Sequence, residues 1–220
     1  ILEKIIEVLT LEDINTQILN YNNPFIIYFK DRRYCIASFN IRHSGGKTHH
    51  SNARRIQIKG TLKEIFLENG SENICCAILG FDKKTDTFST WEIYKNLYSD
   101  VKNWSRSKSL YTDYNIIKQA SEFGASVTPE NLQIGDDSAA ISFKTNFLAN
   151  YLSKPKEKKI QYNKGDDYIL CLDHLHNRKN AITFINKLTN LNSSIFPQTK
   201  VRAKVKNKRE NRWSLEEYIL

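Results

Sequence analysis

Short segments of β type recur along most of this chain, and they limit the folds it can adopt more than any other feature. Residues 55–59 alternate strictly between polar and apolar side chains, which predicts a half-buried strand. Residues 74–81 are almost wholly apolar, which predicts a central strand. Further β-type segments lie at 25–29, 34–41, 87–94, 139–143 and 168–172, and the polar break at 30–33 predicts a hairpin.

Single helices are expected between these strands. Residues 10–13 fit a capping box, after which Leu11, Ile14 and Ile18 would share one helical face. Thr61 is expected to cap a short helix that closes at 69–70, and other helices are predicted at 115–123, 146–152 and 179–188. Strand and helix do not alternate regularly, so we expect a mixed β fold, mainly antiparallel, with peripheral helices.

The composition is that of a globular protein with room for a core. The chain has 220 residues, of which 40% are hydrophobic and 26% charged. Its apolar runs are far shorter than the roughly 20 residues of a membrane span, and no signal-peptide pattern opens it, so we expect a cytoplasmic protein. Cys35, Cys75, Cys76 and Cys171 show no CxxC spacing, which favours reduced core thiols over zinc ligands or disulfides.

The charge balance favours a polyanionic partner. Lys and Arg number 33 against 24 Asp and Glu, which gives a net charge of +9. Nucleic acid is the usual partner of so basic a chain. No GxxxxGK[ST] phosphate loop occurs in the sequence, so we expect no ATP or GTP motor within it.

A basic segment at 42–55 carries the clearest sign of nucleic-acid contact. Seven Lys or Arg and no acid lie between Arg32 and Lys59, and Gly45 and Gly46 allow close approach of the backbone. The alternative is a solvated loop that is basic by chance. The predicted DNA contacts of this region are Arg32, Arg42, His43, Ser44, Gly45, Gly46, Lys47, Thr48, His49, His50, Asn52, Arg54 and Arg55.

A second polar and basic stretch, 95–109, suits the same role. Its hydroxyl and cationic side chains can bind phosphates, while Trp104 could stack on a base or equally anchor the core. We expect both loops to project from one side of a β scaffold and to close around a duplex. The predicted contacts here are Lys102, Asn103, Trp104, Ser105, Arg106, Ser107, Lys108 and Ser109.

The predicted contacts divide into two classes. Phosphate contacts would supply affinity that depends on salt, whereas contacts to base edges would supply sequence preference. We assign Arg32, Lys47, Arg54 and Lys102 to phosphates, and Arg42, His49, Asn52, Asn103 and Arg106 to bases.

Two other functions remain open at this point. The triplet Gln57-Ile58-Lys59 has the Gln-x-Lys form of a Mg²⁺-dependent restriction nuclease, but the nearest upstream acid is Asp31. Without that activity we expect no cofactor, and no metal at His43, His49 and His50, because no acid or thiol lies near them in sequence. The third interpretation is a basic RNA-binding protein.

Several motifs resemble the DNA-recognition modules of prokaryotic restriction endonucleases. They are NIRHSGG (40–46), RRIQI (54–58), ILGFD (78–82) and FSTW (88–91), with KSL (108–110), AAISF (139–143) and FLANYL (147–152). The order of elements also resembles the B3-like pseudobarrel of plant transcription factors and of restriction enzymes of the EcoRII, BfiI and LlaJI kinds.

The resemblance implies a seven-stranded pseudobarrel that grips the major groove of double-stranded DNA with two arms. Residues 42–55 would form the N-arm and 95–111 the C-arm. The chain would then divide into an N-terminal helical segment (1–24), the B3-like barrel (25–152), and a basic linker and C-terminal extension (153–220). The expected function is sequence-specific targeting in a prokaryotic defence system, with the nuclease or motor in another domain or subunit.

Overall fold

A computed structural model describes residues 1–44, 51–93, 107–127, 140–153, 157–161, 168–172 and 185, together with the backbone of four short strands after residue 199. The α-helices whose bounds the description includes are α1 (Leu2–Glu12), α2 (Leu62–Ser71), α3 (Tyr114–Phe123) and α4 (Leu148–Ser153), the last preceded by a 3-10 turn at Thr145–Phe147. The first eight strands are β1 (Gln17–Asn20), β2 (Phe25–Phe29), β3 (Arg32–Asn40), β4 (Arg42–His43), β5 (Ala53–Lys59), β6 (Cys75–Asp82), β7 (Thr87–Trp91) and β8 (Ser107–Asp113). The others are β9 (Ala125–Val127), β10 (Ala140–Lys144), β11 (Glu157–Gln161), β12 (Tyr168–Leu172), β13 (Lys200–Val201), β14 (Val205–Asn207), β15 (Arg212–Ser214) and β16 (Glu217–Tyr218).

The strands before residue 199 form one large mixed sheet and one small antiparallel sheet. The large sheet has nine strands, with the order β1-β2-β3-β6-β7-β10-β9 and with β12 and β11 branching from β6. Its neighbours are antiparallel except that β6 runs parallel to β3 and to β12. The small sheet has the order β4-β5-β8, and the short C-terminal strands pair as β13 with β16 and β14 with β15.

This architecture confirms the predicted β-rich fold with peripheral helices. A closed seven-stranded pseudobarrel is not seen among the described residues, since β1 and β9 end the path of the large sheet without pairing with each other. Strand β6 is central as predicted, with β3 on one side and both β7 and β12 on the other. The apolar run of β6 did not predict that two strands, β7 and β12, would pair with the same side of it.

Alternate residues of the central strands enter two cores, one on each face of the large sheet. In β3, Tyr34 and Ile36 belong to the first core, whereas Cys35 and Ala37 belong to the second. Helices α1 and α4 cover the first core, and α2 and the small sheet cover the second. Each large apolar side chain buried in this way contributes roughly 1.5–3 kcal/mol to folding.

The helix predicted to begin after Thr10 is wrong. Helix α1 ends at Glu12, so Thr10 lies in its last turn, and residues 17–20 form β1 instead. Leu11 and Ile14, which were expected on a buried helical face, are 83% and 84% exposed. The spacing i, i+3, i+4 that does face the core lies earlier in the chain. That buried face consists of Ile5, Val8 and Leu9.

The β2–β3 hairpin forms as predicted, with a tighter turn. Lys30 and Asp31 occupy the turn with φ of 47° and 62°, which is the pattern of a type I′ hairpin. The carboxylate of Asp13 accepts a hydrogen bond of 3.0 Å from the Lys30 backbone N–H and another from that of Asn15, and these bonds lower the pKa of Asp13. The end of α1 is thereby joined to the hairpin.

Gly70 was expected to close α2, but the helix continues to Ser71. A methyl group at Gly70 would overlap the backbone carbonyl oxygen of Tyr168. The glycine therefore allows α2 to pack directly against β12.

Two further predictions concern the C-terminal part of the chain. Residues 154–164 were expected to be an exposed linker, but 157–161 form β11 and pair with β12. The predicted helix at 179–188 lies outside the described residues except for Ile185, which is helical and buried. No helix in the described ranges is both long and apolar enough to cross a membrane.

Candidate nucleic-acid interface

The small sheet is built from two segments that are distant in sequence. Arg42 and His43 of β4 pair with Arg55 and Arg54 of β5. On its other side β5 pairs with β8, from Ala53 opposite Asp113 to Lys59 opposite Ser107. Because β4 has only two residues, most of this sheet is a two-stranded ribbon formed by β5 and β8.

The inner face of the ribbon packs tightly on the large sheet. Ile56, Ile58 and Leu110 are buried in the second core. Gly80 of β6 allows this approach, because a methyl group there would lie 2.9 Å from the Trp91 ring and 3.0 Å from Ile56. The ribbon therefore rests on a rigid support.

The outer face of the ribbon is polar and basic. Arg55, Gln57 and Lys59 alternate with the buried residues of β5, and they are half-buried or exposed. The register places Tyr111, Ser109 and Ser107 of β8 opposite them. Together with Arg42, which pairs with Arg55, we call this set the outer face: Arg42, Arg55, Gln57, Lys59, Ser107, Ser109 and Tyr111.

Two cross-strand hydrogen bonds join β5 to β8 on the outer face. The Arg55 guanidinium donates to the Ser109 hydroxyl at 3.4 Å, and the Gln57 amide nitrogen donates to the Ser107 hydroxyl at 3.1 Å. These bonds hold two long polar side chains close to the sheet and limit their freedom. The arrangement favours contact with a ligand that lies along the ribbon.

Counted over its described residues, the outer face carries three cations and no exposed acid. Arg42, Arg55 and Lys59 supply the positive charge. The acid that ends β8, Asp113, is buried, and its side chain accepts a hydrogen bond of 2.7 Å from the Asn115 N–H at the start of α3. A surface of this kind attracts a polyanion and offers many hydrogen-bond donors to it.

A second basic cluster lies where β5 meets α3. The Arg54 guanidinium lies 4.3 Å from the centroid of the Tyr114 ring, and the Lys118 ammonium lies 5.0 Å from it. Arg54 also donates to the backbone carbonyl oxygens of Ser51 and Ala53. Since Arg54 alternates with Arg55, it leaves β5 on the side opposite the outer face.

Three other predicted contacts lie near the end of the β4–β5 hairpin. The His43 ring Nε2 donates to the backbone carbonyl oxygen of Ser51 at 2.9 Å. Ser44 is only 1% exposed, and its backbone N–H donates to the carbonyl oxygen of Ala53. The Asn52 carbonyl oxygen accepts from the Tyr114 N–H at 2.9 Å.

The two predicted arms join the ribbon at opposite ends. Residues 45–50 fall outside the described residues and follow Ser44, near the end where Ala53 faces Asp113. Residues 94–106 also fall outside and lead into Ser107, which pairs with Lys59. Six residue steps, about 20 Å, separate the two ends, so both arms start at the borders of the outer face.

Many predicted contacts therefore fall outside the described residues, and some of the described ones do not lie on the outer face. Residues 107–111, expected in the C-arm, form strand β8, and Lys108 alternates to the side opposite the outer face. The predicted contacts outside the description are Gly45, Gly46, Lys47, Thr48, His49, His50, Lys102, Asn103, Trp104, Ser105 and Arg106.

Arg32 lies away from the outer face. It begins β3 and its guanidinium donates to the Glu157 carboxylate at 2.8 Å, which joins β3 to β11. Arg42 of the outer face lies just beyond the other end of β3, which is Asn40. Asn40 is eight residue steps, or about 27 Å, along the strand from Arg32. The outer face does not include this arginine.

The residues of the Gln-x-Lys alternative also have definite positions. Gln57 and Lys59 lie on the outer face, while the Asp31 carboxylate lies in the β2–β3 turn and accepts a hydrogen bond from the Tyr28 hydroxyl at 3.0 Å. Within the part of the chain that the structure describes, no three His, Cys, Asp or Glu side chains gather as metal ligands would.

Gln57, Lys59 and Tyr111 lie on the outer face but were not among the DNA contacts predicted from the sequence. The alternation in 55–59 predicted an exposed polar face, and that signal could have identified the first two. Tyr111 could not be found in this way, because its position depends on pairing between β5 and a strand about fifty residues later.

Most of the small sheet's surroundings lie in a region that matches a known family. A family model described as Methylase-associated X1 (MTaX1) matches residues 32–152, which is more than half of the 220 residues. The match includes β3 to α4 and so contains the whole small sheet. No curated protein and no solved structure gives a significant match to the chain.

Proposed function

The chain belongs to the Methylase-associated X1 family, and from this membership and the chemistry of the outer face we propose that it is the DNA-recognition part of a restriction–modification system. Its partner in this proposal is double-stranded DNA, bound in the major groove by the outer face and by the basic loops at its two ends. The family description supports the link to methylation, while the acid-free, donor-rich outer face supports DNA as the ligand.

The observation that carries the proposal is the composition of the outer face on a supported ribbon. A two-stranded β-ribbon is an element that the major groove of B-DNA admits. The buried residues Ile56, Ile58 and Leu110 hold this ribbon against the large sheet, so its outward side chains keep their positions. Cations next to amide and hydroxyl groups suit contacts to phosphates and base edges together.

The wider context is part of the proposal. The nuclease or motor of the system would lie in another domain or subunit, and the whole would act in the prokaryotic cytoplasm as a defence against foreign DNA. A B3-like mode of binding, in which residues 45–50 belong to one arm and residues 95–106 to the other, is our preferred arrangement for the contacts outside the described residues.

A binding selection on random DNA duplexes tests the proposal. We expect the chain to enrich a short sequence motif and to prefer that duplex over single-stranded RNA in a competition gel shift. Enrichment of no motif, or preference for single-stranded RNA, would contradict sequence-specific recognition of duplex DNA and favour an RNA-binding protein.

A second assay separates recognition from cleavage. We expect the chain alone to leave plasmid DNA intact in the presence of Mg²⁺, because the proposal places the nuclease elsewhere. Cleavage that Lys59→Ala abolishes would instead favour a self-sufficient nuclease with Gln57 and Lys59 in its site.

A further inference from the structure

We infer that Gln57 and Arg55 read base edges in the major groove, with Gln57 specific for adenine and Arg55 for guanine. The inference rests on the proposed function and assigns its specificity to two residues of the outer face. In the sequence Gln57 was considered only as a nuclease residue, and Arg55 only as one of many DNA contacts.

Gln57 has the hydrogen-bonding groups that adenine requires. Its amide nitrogen uses one N–H on the Ser107 hydroxyl at 3.1 Å, which leaves the second N–H and the carbonyl oxygen. Adenine presents an N7 acceptor and an N6 amino donor in the major groove, and a glutamine amide binds both. Gln57 is exposed, so an entering base edge can reach it.

Arg55 has the groups that guanine requires. Its guanidinium has five N–H donors, and one of its terminal nitrogens donates to the Ser109 hydroxyl at 3.4 Å. Other N–H groups of the fork remain for the O6 and N7 acceptors of guanine, which is the commonest specific contact of arginine with DNA. The serine bond orients the guanidinium before DNA arrives and reduces the entropy lost on binding.

Their hydrogen bonds to Ser109 and Ser107 distinguish Arg55 and Gln57 from the two other cations of the outer face, and the strand that carries them is firmly supported. Ile56 lies between Gln57 and Arg55 in sequence and is 1% exposed in the second core. Residues two apart in a strand are about 6.8 Å apart, which is about two base-pair steps of B-DNA. The two side chains can therefore contact different base pairs of one site. Lys59 lacks a matching planar group and is suited to a phosphate.

The experiment compares selections on random duplexes by the wild type and by four variants. Gln57→Ala should remove the preference for adenine at one position of the selected motif, and Arg55→Ala should remove the preference for guanine at another. Each loss corresponds to about 5- to 150-fold less discrimination at that position, from 1–3 kcal/mol per bidentate contact. Gln17→Ala, at an exposed glutamine of β1 in the large sheet, is the matched control and should select the wild-type motif.

The fourth variant, Gln57→Glu, tests the chemistry of readout directly. A carboxylate accepts from the N4 amino group of cytosine but cannot donate to N7 of adenine. The base preferred at the position that Gln57 contacts should therefore change from adenine toward cytosine. A variant that failed to fold would select nothing, whereas this change requires a folded and bound protein.

The outcomes separate the inference from the proposed function. If the wild type selects a motif that Gln57→Ala and Arg55→Ala leave intact, the inference is wrong and DNA recognition stands. If the wild type selects no motif at all, the proposed function and the inference both fail. If Gln57→Ala weakens every sequence equally, Gln57 is a general contact and the assignment to adenine is overturned.

Discussion

The indole Nε1 of Trp91 donates a hydrogen bond of 2.8 Å to the backbone carbonyl oxygen of Tyr111. Trp91 ends β7 in the large sheet and is 1% exposed, whereas Tyr111 lies in β8 of the small sheet. The bond therefore connects the supporting sheet to the ribbon that carries the outer face. Its loss would leave a partly buried carbonyl without this donor.

We expect Trp91→Phe to lower the free energy of unfolding by about 1–3 kcal/mol, because the variant removes this donor and part of a buried ring. Urea denaturation followed by circular dichroism measures the change. Tyr168→Phe is the matched control, since it removes an exposed hydrogen bond of 2.9 Å to Asn73 and should change stability by less than about 0.5 kcal/mol. Equal stabilities of Trp91→Phe and the wild type would show that the bond contributes nothing.

Close packing at Gly80 gives a second prediction. A methyl group there would lie 2.8 Å from Ile41 and 2.9 Å from Trp91, so Gly80→Ala should destabilise the protein by roughly 1–3 kcal/mol through overpacking. Gly70→Ala should cost more, because its methyl group would meet the backbone of Tyr168 and backbone moves less readily than side chains. Thermal unfolding of both variants measures which one is less stable. A greater loss of stability in Gly80→Ala than in Gly70→Ala would contradict the prediction.

The salt dependence of DNA binding tests the cations of the outer face. Lys59→Ala should weaken binding to all sequences and reduce the slope of log K against log salt by about 0.9, the value for one phosphate contact on B-DNA. Arg42→Ala should do the same, which assigns to Arg42 a phosphate in place of the base contact expected from the sequence. Arg33→Ala removes the same charge from β3, where Arg33 donates to the Glu72 carbonyl oxygen at 2.9 Å, and serves as the control. If all three variants lose equal affinity, net charge and not the outer face drives binding.

Tyr34 gives a prediction about alkaline pH. Burial of the phenol raises the pKa of Tyr34 from 10.0 to about 12, and its hydroxyl donates to the Leu152 carbonyl oxygen at 3.2 Å. The unfolded chain therefore releases this proton first as pH rises. The stabilisation is complete below pH 10 and is lost as pH rises from 10 toward 12.

We expect Tyr34→Phe to reduce the loss of stability between pH 10 and 12, as measured by urea denaturation at several pH values. Only the slope with pH is compared, since the variant also lacks the bond to Leu152. Tyr21→Phe, at a side chain that is 70% exposed, should keep the slope of the wild type. A slope that is unchanged in Tyr34→Phe would contradict a role for this phenol.

Local elements were predictable where the signal was local. The alternation in 55–59 identified β5, and the helix predicted at 115–123 is present as α3, which the structure shows to be capped by Asp113. The capping pattern at Thr10 misled, because residues 2–9 form the more deeply buried helical face and tertiary packing decided between the two.

The binding face shows the limit of such reasoning. The basic character of 42–55 was visible, but its division into a strand pair, a stacked Arg54 and an outward Arg55 depends on which side of β5 each residue occupies. Gln57 and Ser107 are fifty residues apart, and only pairing between their strands makes them neighbours.

By itself the sequence determined the β-rich class, the positive charge and most strand positions, because periodicity and composition act within a few residues. The tertiary structure decided which strands pair, where β6 branches, and which polar side chains meet on one face. Those choices depend on burying two cores at once, and the free energy of that burial belongs to contacts between distant segments.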